Sequence, residues 1–190
     1  MLQTAKPALS EQKARLLDII KRKSLLTKGG PFKLASGAMS DYYLDLKPTM
    51  FDPHGAALIG EIINGMLADD SDVDAIGGLE LGAVPISAAV SALSVNARPI
   101  KSFVVRKESK DHGTAKKIDG NFIPNTTVVL IEDVTTRGGS VMHAVRAVRE
   151  KGATVKRIIT IVDRLEGAAE NLKKEGIALE AIFTSRDLIG

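Results

Sequence analysis

The sequence predicts an α/β fold with a mostly parallel central sheet flanked by helices, and three observations support it. From Val73 onward, short apolar runs alternate with helical patterns: strands at Val73–Gly77, Ile100–Val105, Val128–Ile131, Val155–Val162 and Leu179–Phe183, helices near Pro85–Val95, Gly139–Lys151 and Gly167–Glu175. Val128, Val129, Leu130 and Ile131 are continuously apolar and mostly β-branched, as suits a strand buried on both faces of a parallel sheet. That run ends in Glu132-Asp133 and then turns through a Thr/Gly/Ser loop into a helical pattern. Ligands of open α/β sheets bind beyond the strand ends, so the two acids stand where a ligand would meet them.

The elements before this alternating part follow from local signals. Ser10 is placed to cap a first helix whose stripe is Ala14, Leu16, Leu17, Ile19 and Ile20, with Leu9 and Ala14 at staple positions. Gly29-Gly30-Pro31 stops it. Phe32–Ser36 and Tyr42–Leu46 read as two short strands around a turn at Gly37–Asp41, a hood or lid. Asp52-Pro53 starts the next helix, Asp as N-cap and Pro in the first turn, with a buried stripe that includes Ala57, Ile62, Ile63 and Met66. Arg106–Thr127 is a polar connection where a crossover helix is expected, and long connections of this kind are usually functional.

Composition narrows the class. The 190 residues fit one domain, and 44% hydrophobic with 26% charged residues is ordinary for a globular protein. A net charge of +3 with both signs interspersed does not call for nucleic acid. No apolar run approaches a membrane span, and Met1–Leu9 lacks a signal peptide's apolar core, so no membrane partner and a cytoplasmic location are expected. The absence of cysteine excludes disulfides, thiolate nucleophiles and zinc-thiolate sites. Three scattered histidines do not make a metal cluster.

After the acids, Thr135, Thr136, Arg137, Gly138, Gly139 and Ser140 offer hydroxyls, a cation and unobstructed backbone N–H groups at the start of a helix, a ready anion site. Neither G-x-x-x-x-G-K-[ST] nor G-x-G-x-x-G is present. Carboxylates repel phosphate but suit a sugar diol, so Thr126–Glu150 fits a ligand with a phosphate at one end and a ribose close by. This stretch resembles the phosphoribosyl-pyrophosphate (PRPP) signature of type I phosphoribosyltransferases. In the polar connection, Arg106 to Gly113 gathers cations and His112, with Gly113 and Gly120 as candidate hinges. Such a loop suits a departing pyrophosphate, which gains negative charge as its bond to the sugar breaks, and its closure would keep out water.

Arg106-Lys107, then Lys110, Asp111, His112 and Gly113, resemble the catalytic loop of orotate phosphoribosyltransferases, whose wording is close to RKExKDHG. With Ser36-Gly37 ahead of Tyr42, the glycine turn ending in Pro85, and Asp163-Arg164 after a strand, the resemblance runs from about Phe32 to Leu188. It implies a type I phosphoribosyltransferase fold with a small N-terminal hood (largely 1–50), a core from about 51 to 190, and a mobile catalytic loop. It also implies Mg²⁺-dependent transfer of the phosphoribosyl group from PRPP to orotate in pyrimidine (UMP) biosynthesis. Glu132 and Asp133 would hold the ribose hydroxyls, and Val134 to Ser140 would wrap the 5′-phosphate. Arg106 and Lys107 would touch the phosphates, and Lys110 and His112 the pyrophosphate, across a homodimer with shared sites. Lys110, His112 and Asp133 would be catalytic. Thr136 and Arg164 would contact orotate, Arg164 through its carboxylate, which a planar guanidinium fits bidentately. Mg²⁺ would be held mainly by PRPP rather than by protein ligands.

Two positions depart from the family. Ala35 stands where many members carry lysine before the Ser-Gly pair, and Leu81-Gly82-Ala83-Val84-Pro85 lacks a lysine that some carry in the glycine turn. A shifted affinity is expected from both. The alternatives are a phosphoribosyltransferase for another base, against which Lys107–Gly113 and Arg164 argue, and a PRPP-sensing regulator that has lost catalysis. About thirty N-terminal residues are too few for a typical winged-helix domain that such a regulator might carry.

Overall fold

The computed structural model describes residues 8–27, 30–33, 39–95, 97–108 and 117–190. Ala35, the start of the turn expected at Gly37, Lys110, His112 and Gly113 lie outside the described residues. The chain begins with α1 (Leu9–Lys23), the short strands β1 (Leu25–Leu26), β2 (Phe32–Lys33), β3 (Met39–Ser40) and β4 (Tyr43–Leu44), then α2 (Lys47–Met50) and α3 (Pro53–Met66). It continues as β5 (Ala75–Leu79), α4 (Ala83–Ser94), β6 (Lys101–Val105), β7 (Ile118–Gly120), β8 (Thr127–Thr135), α5 (Gly139–Arg149), β9 (Thr154–Asp163), α6 (Ala168–Lys174), β10 (Ala178–Thr184) and α7 (Ser185–Ile189).

The central sheet has the order β10-β9-β8-β5-β6-β7, parallel except for β7, which runs antiparallel to β6. β7 falls inside the polar connection, where its three residues Ile118-Asp119-Gly120 are too short to register as a strand pattern. Both faces of the sheet are covered, which is why β8 reads as a continuous apolar run. Val129 and Ile131 face a core shared with α1, α3 and α4, while Val128 and Leu130 face a second core shared with α5 and α6. A register shift after Val128 leaves Lys156 of β9 outside the ladder, and its ammonium pairs with Asp70 and Asp72.

The N-terminal part departs from the local expectations in three ways. α1 starts at Leu9 with Ala8 as N-cap and no side-chain cap, so Ser10 lies inside the first turn and the staple of Leu9 with Ala14 is not made. Ala14 is exposed, and the buried line is Gln12, Leu16, Ile19 and Ile20. Gln12 belongs to it because its amide donates to Glu61 Oε2 on α3 at 2.6 Å, which makes a polar side chain tolerable there. The two hood strands do not pair with each other: Phe32-Lys33 pair with Met39-Ser40, and Tyr43-Leu44 pair with Leu25-Leu26. Asp52 caps α3 as expected, its Oδ1 accepting from His54 N and Gly55 N at 3.0 Å each. Ala57 is exposed, however, and Leu58 and Ile59 take its place in the core beside Ile62 and Ile63.

Candidate active site

The strand order reverses between β5 and β8: α4 leads from β5 to β6 on one side, α5 from β8 to β9 on the other, and the loops part at the carboxyl ends. Such a switch point is the ligand crevice of an open α/β sheet. β8 reaches further into it than its apolar run suggests. It leaves β5 after Gly77↔Leu130 but continues its ladder with β9 through Glu132↔Thr160 and Val134↔Val162 to Thr135↔Asp163. Glu132 and Asp133 are therefore strand residues on a rigid edge rather than the first residues of a loop. Gly77 and Gly78 likewise belong to β5, and the turn that follows begins at Glu80.

The crevice contains a cleft of about 310 Å³ lined by Lys47, Glu80, Leu81, Gly82, Lys107, Glu132, Asp133 and Ser140. Hollows of about 400 Å³ beside Asp163 and Arg186, and of about 420 Å³ beside Arg15 and Asp52, are larger. Neither is lined by residues of β5, β8 or the turns that follow them, and position at the switch point rather than size selects the cleft. Its turn is tied to its far wall: Glu80 N donates to Val105 O at 2.9 Å, and Glu80 Oε1 accepts from Lys107 N at 2.9 Å. Gly82 packs directly on the acid: a Cβ there would stand 2.6 Å from Asp133 Oδ1 and would push that carboxylate aside.

Beside the cleft, Glu132, Val134, Thr135, Thr136, Gly138, Gly139 and Ser140 line a small concavity at the start of α5. Gly138 has φ +80°, a left-handed conformation that lets the chain turn sharply from β8 into the helix. Thr136 and Ser140 are exposed, whereas Thr135 is buried and donates through Oγ1 to Asp163 Oδ1 at 3.3 Å. The result is a hydroxyl-rim cup over the first N–H groups of an eleven-residue helix, the arrangement that binds phosphate.

The two acids differ. Glu132 is 8% exposed, and its Oε2 is buried without a hydrogen-bond partner. Burial pushes its carboxyl up to about 8, the adjacent Asp133 pushes the same way, and Lys107 opposes them. Asp133 is half-buried, with Oδ1 accepting from Val134 N at 2.9 Å. Between about pH 4.5 and 8 the folded chain thus keeps a proton on Glu132 that the unfolded chain has released, so this group's contribution to stability falls as pH rises through that window. Glu132→Gln is therefore expected to raise unfolding free energy by on the order of 3 kcal/mol at pH 8.5 and hardly at all at pH 4. Denaturant unfolding at the two pH values checks it, and a gain that does not grow with pH would contradict it.

Arg164 closes the far side. Its backbone N donates to Thr135 O at 2.9 Å and its carbonyl accepts from Ser185 Oγ at 3.1 Å, so the main chain is held from both directions. The side chain is 8% exposed. Its guanidinium lies 4.6 Å from the centre of the Tyr42 ring, with Nη2 donating to Ser40 Oγ at 3.3 Å and Nε 2.9 Å from Glu166 Oε1. The Nε contact is an ion pair without hydrogen-bond alignment.

Of the residues singled out from sequence, Lys107, Glu132, Asp133 and Ser140 meet in the cleft, and Val134, Thr135, Thr136, Gly138 and Gly139 line the adjoining cup. Arg137 is exposed and lines neither, although its carbonyl accepts from Asn171 Nδ2 at 3.1 Å. Arg106 is turned to Asp119 of β7, with Nε to Oδ2 at 2.6 Å. Arg164 stands with Tyr42, and Tyr43 packs against Phe32 at 6.1 Å between ring centres. Lys110 and His112 are outside the described residues. Lys47 and Glu80 were not legible as site residues: Lys47 stands between Leu46 and Pro48, Glu80 between Leu79 and Leu81, and neither belongs to a motif of its own.

The phosphoribosyl transferase domain family matches residues 50–184. An orotate phosphoribosyltransferase of Bradyrhizobium sp. (strain ORS 278) is 45% identical over 95% of this chain and 98% of the relative. The crystal structure of Mycobacterium tuberculosis H37Rv orotate phosphoribosyltransferase in complex with Fe(III) dicitrate superposes with a TM-score of 0.82 at 37% identity, covering 93% of this chain and 98% of that one. The same enzyme in complex with PRPP gives a TM-score of 0.79 at 33% identity, covering 94% and 99%.

Proposed function

The chain belongs to the orotate phosphoribosyltransferase family, and from that premise we propose that it transfers the 5-phosphoribosyl group of PRPP to orotate, giving orotidine 5′-monophosphate and pyrophosphate. The observation that carries this is the junction of Glu132 and Asp133 with the hydroxyl-rim cup at α5, which offers a diol site and a phosphate site side by side. The cup takes the 5′-phosphate, Glu132 and Asp133 the ribose hydroxyls, and Lys107 and Arg106 the phosphates, Arg106 after leaving Asp119. Orotate lies between Thr136 and Arg164.

The reaction needs no protein nucleophile. A ring nitrogen of orotate forms a bond to the ribose carbon as the bond to pyrophosphate oxygen breaks. The electron pair leaves with pyrophosphate, and the proton of the ring N–H is released to solvent or to the departing pyrophosphate. Positive charge builds on the sugar, where Asp133 stabilises it, while Lys110 and His112 meet the departing charge. Mg²⁺ fits the site: the Asp133 carboxylate is a hard oxygen donor at the cleft, and the unpartnered Glu132 Oε2 would become a second once its proton is displaced. That donor set suits an ion bound by one or two carboxylates and the substrate's oxygens, where it would neutralise leaving-group charge.

Protein, Mg²⁺, PRPP and orotate are mixed and the loss of orotate absorbance is followed, with uracil and adenine in parallel. Turnover of orotate alone is expected, and turnover of uracil or adenine instead would reject the base assignment. We also propose a homodimer in which residues 1–50 hood the core and Lys110 and His112 serve the neighbouring subunit. Mixing Lys110→Ala with Arg164→Ala protein should then restore one competent site in each mixed dimer. No recovery despite subunit exchange would refute sharing.

A further inference from the structure

Among the described residues, the cleft poses a charge problem that those assigned so far do not solve. Glu80, Asp133 and the buried acid Glu132, which keeps its proton up to about pH 8, stand at the place where the proposed substrate brings its diphosphate. Of the cations considered, Lys107 lines the cleft, while Arg106 is engaged by Asp119. The turn at Leu81-Gly82 carries no cation, and a side chain at position 82 would have to displace the Asp133 carboxylate.

Lys47 lies on the opposite wall, and its backbone is fixed on all sides. Leu46 and Met50 are buried in the core, Thr49 is fully buried with its hydroxyl 2.7 Å from Ser24 Oγ, and Lys47 N donates to Asp45 Oδ1 at 3.0 Å. The side chain is about half exposed, at 52%, and Nζ sits 2.7 Å from the same Asp45 oxygen. Asp45 raises the hold of Lys47 on its proton, burial opposes it, and Asp133 across the cleft adds to it. A rigid base, a flexible four-carbon stem and a partner at the cleft edge are what a phosphate-binding lysine needs.

We propose that Lys47, held in the ligand-free protein by Asp45, is a binding residue for the diphosphate of PRPP and for product pyrophosphate. It supplies from α2 the cation that the glycine turn lacks. Asp45 is a positioning residue that competes with the ligand for Lys47. The assignment rests on the function proposed above, but its pyrophosphate arm does not depend on turnover.

Lys47→Met is expected to raise the KM for PRPP about tenfold and to weaken binding of Mg²⁺-pyrophosphate in calorimetry by a similar factor, the loss of one charge-assisted contact. The KM for orotate and kcat should stay within about threefold. Lys47→Arg should recover most of the affinity, and Asp45→Asn should tighten pyrophosphate. In the Lys47→Met background, Asp45→Asn should have no such effect, which separates release of Lys47 from a general change in charge. Because half of the Lys47 side chain is exposed and surface ion pairs contribute little to stability, its variants should keep a melting temperature close to wild type. Unchanged pyrophosphate affinity in Lys47→Met, or equal tightening by Asp45→Asn with and without Lys47, would overturn the proposal. If the wild-type protein turned over no orotate, the proposed function would fall, while the pyrophosphate titration would still decide the role of Lys47.

Discussion

Arg164→Ala is expected to raise the KM for orotate roughly 30- to 100-fold, the effect of about 2 to 3 kcal/mol in a charge-assisted, largely desolvated contact. The expectation comes from how the guanidinium is held. Its central carbon lies over the Tyr42 ring, Ser40 accepts from Nη2, and Glu166 flanks Nε, so the fork is oriented before a ligand arrives. A carboxylate-bearing base meets that fork at little further cost in side-chain entropy, whereas uracil brings no carboxylate to it. Arg164→Lys keeps the charge but loses the plane, and should retain most of the defect. PRPP affinity should change by no more than a few fold in either variant. Steady-state kinetics with each substrate varied, together with direct PRPP titration, check this. A defect in PRPP with orotate spared would move Arg164 to the donor half of the site.

Asp133→Asn is the second large effect: kcat should fall by about 10² to 10³, as expected when one preorganised electrostatic group is removed from a developing charge. The packing of Gly82 against Asp133 gives an independent way to disturb the same carboxylate. In Gly82→Ala the new Cβ would lie 2.6 Å from Oδ1, and the carboxylate, being the end of a side chain, is what yields. The fold should survive with a melting temperature close to wild type, while kcat falls by at least about tenfold through a displaced Asp133. Adding Gly82→Ala to Asp133→Asn should cost much less than it does alone, because both changes act on one group. Full activity in Gly82→Ala would show that the position of Asp133 is not critical.

These two experiments probe features that were unequally visible in the sequence. The acid pair and the Thr-Gly-Ser turn were legible because they are contiguous, and their order of strand, acids, turn and helix is a local pattern. Arg164 stood out only through its resemblance to a family motif, since an Asp-Arg pair after a strand has no periodicity of its own. Lys47 and Glu80 left no local trace. They reach the cleft because the buried Thr49 and Met50 anchor α2 with Lys47 at its start, and because the end of β5 is tied to the end of β6. Gly82 read as part of a glycine turn, yet its reason is a carboxylate fifty-one positions later in the chain.

What the sequence determined by itself is the alternating α/β core. Continuous β-branched runs and helical stripes are short-range signals, and Asp52-Pro53 caps its helix through atoms two and three residues away. Only the tertiary structure decided how the ends of those elements are used. The ladder with β9 carries β8 past its apolar run and makes Glu132 and Asp133 part of a rigid edge. Strand pairing across the chain sends Tyr43-Leu44 to Leu25-Leu26 and turns Arg106 toward β7. The physical reason is that strand register, burial and charge pairing are fixed by partners distant in sequence. A cleft assembled from α2, the turn after β5, the end of β6 and the end of β8 exists only once those distant pairings have formed.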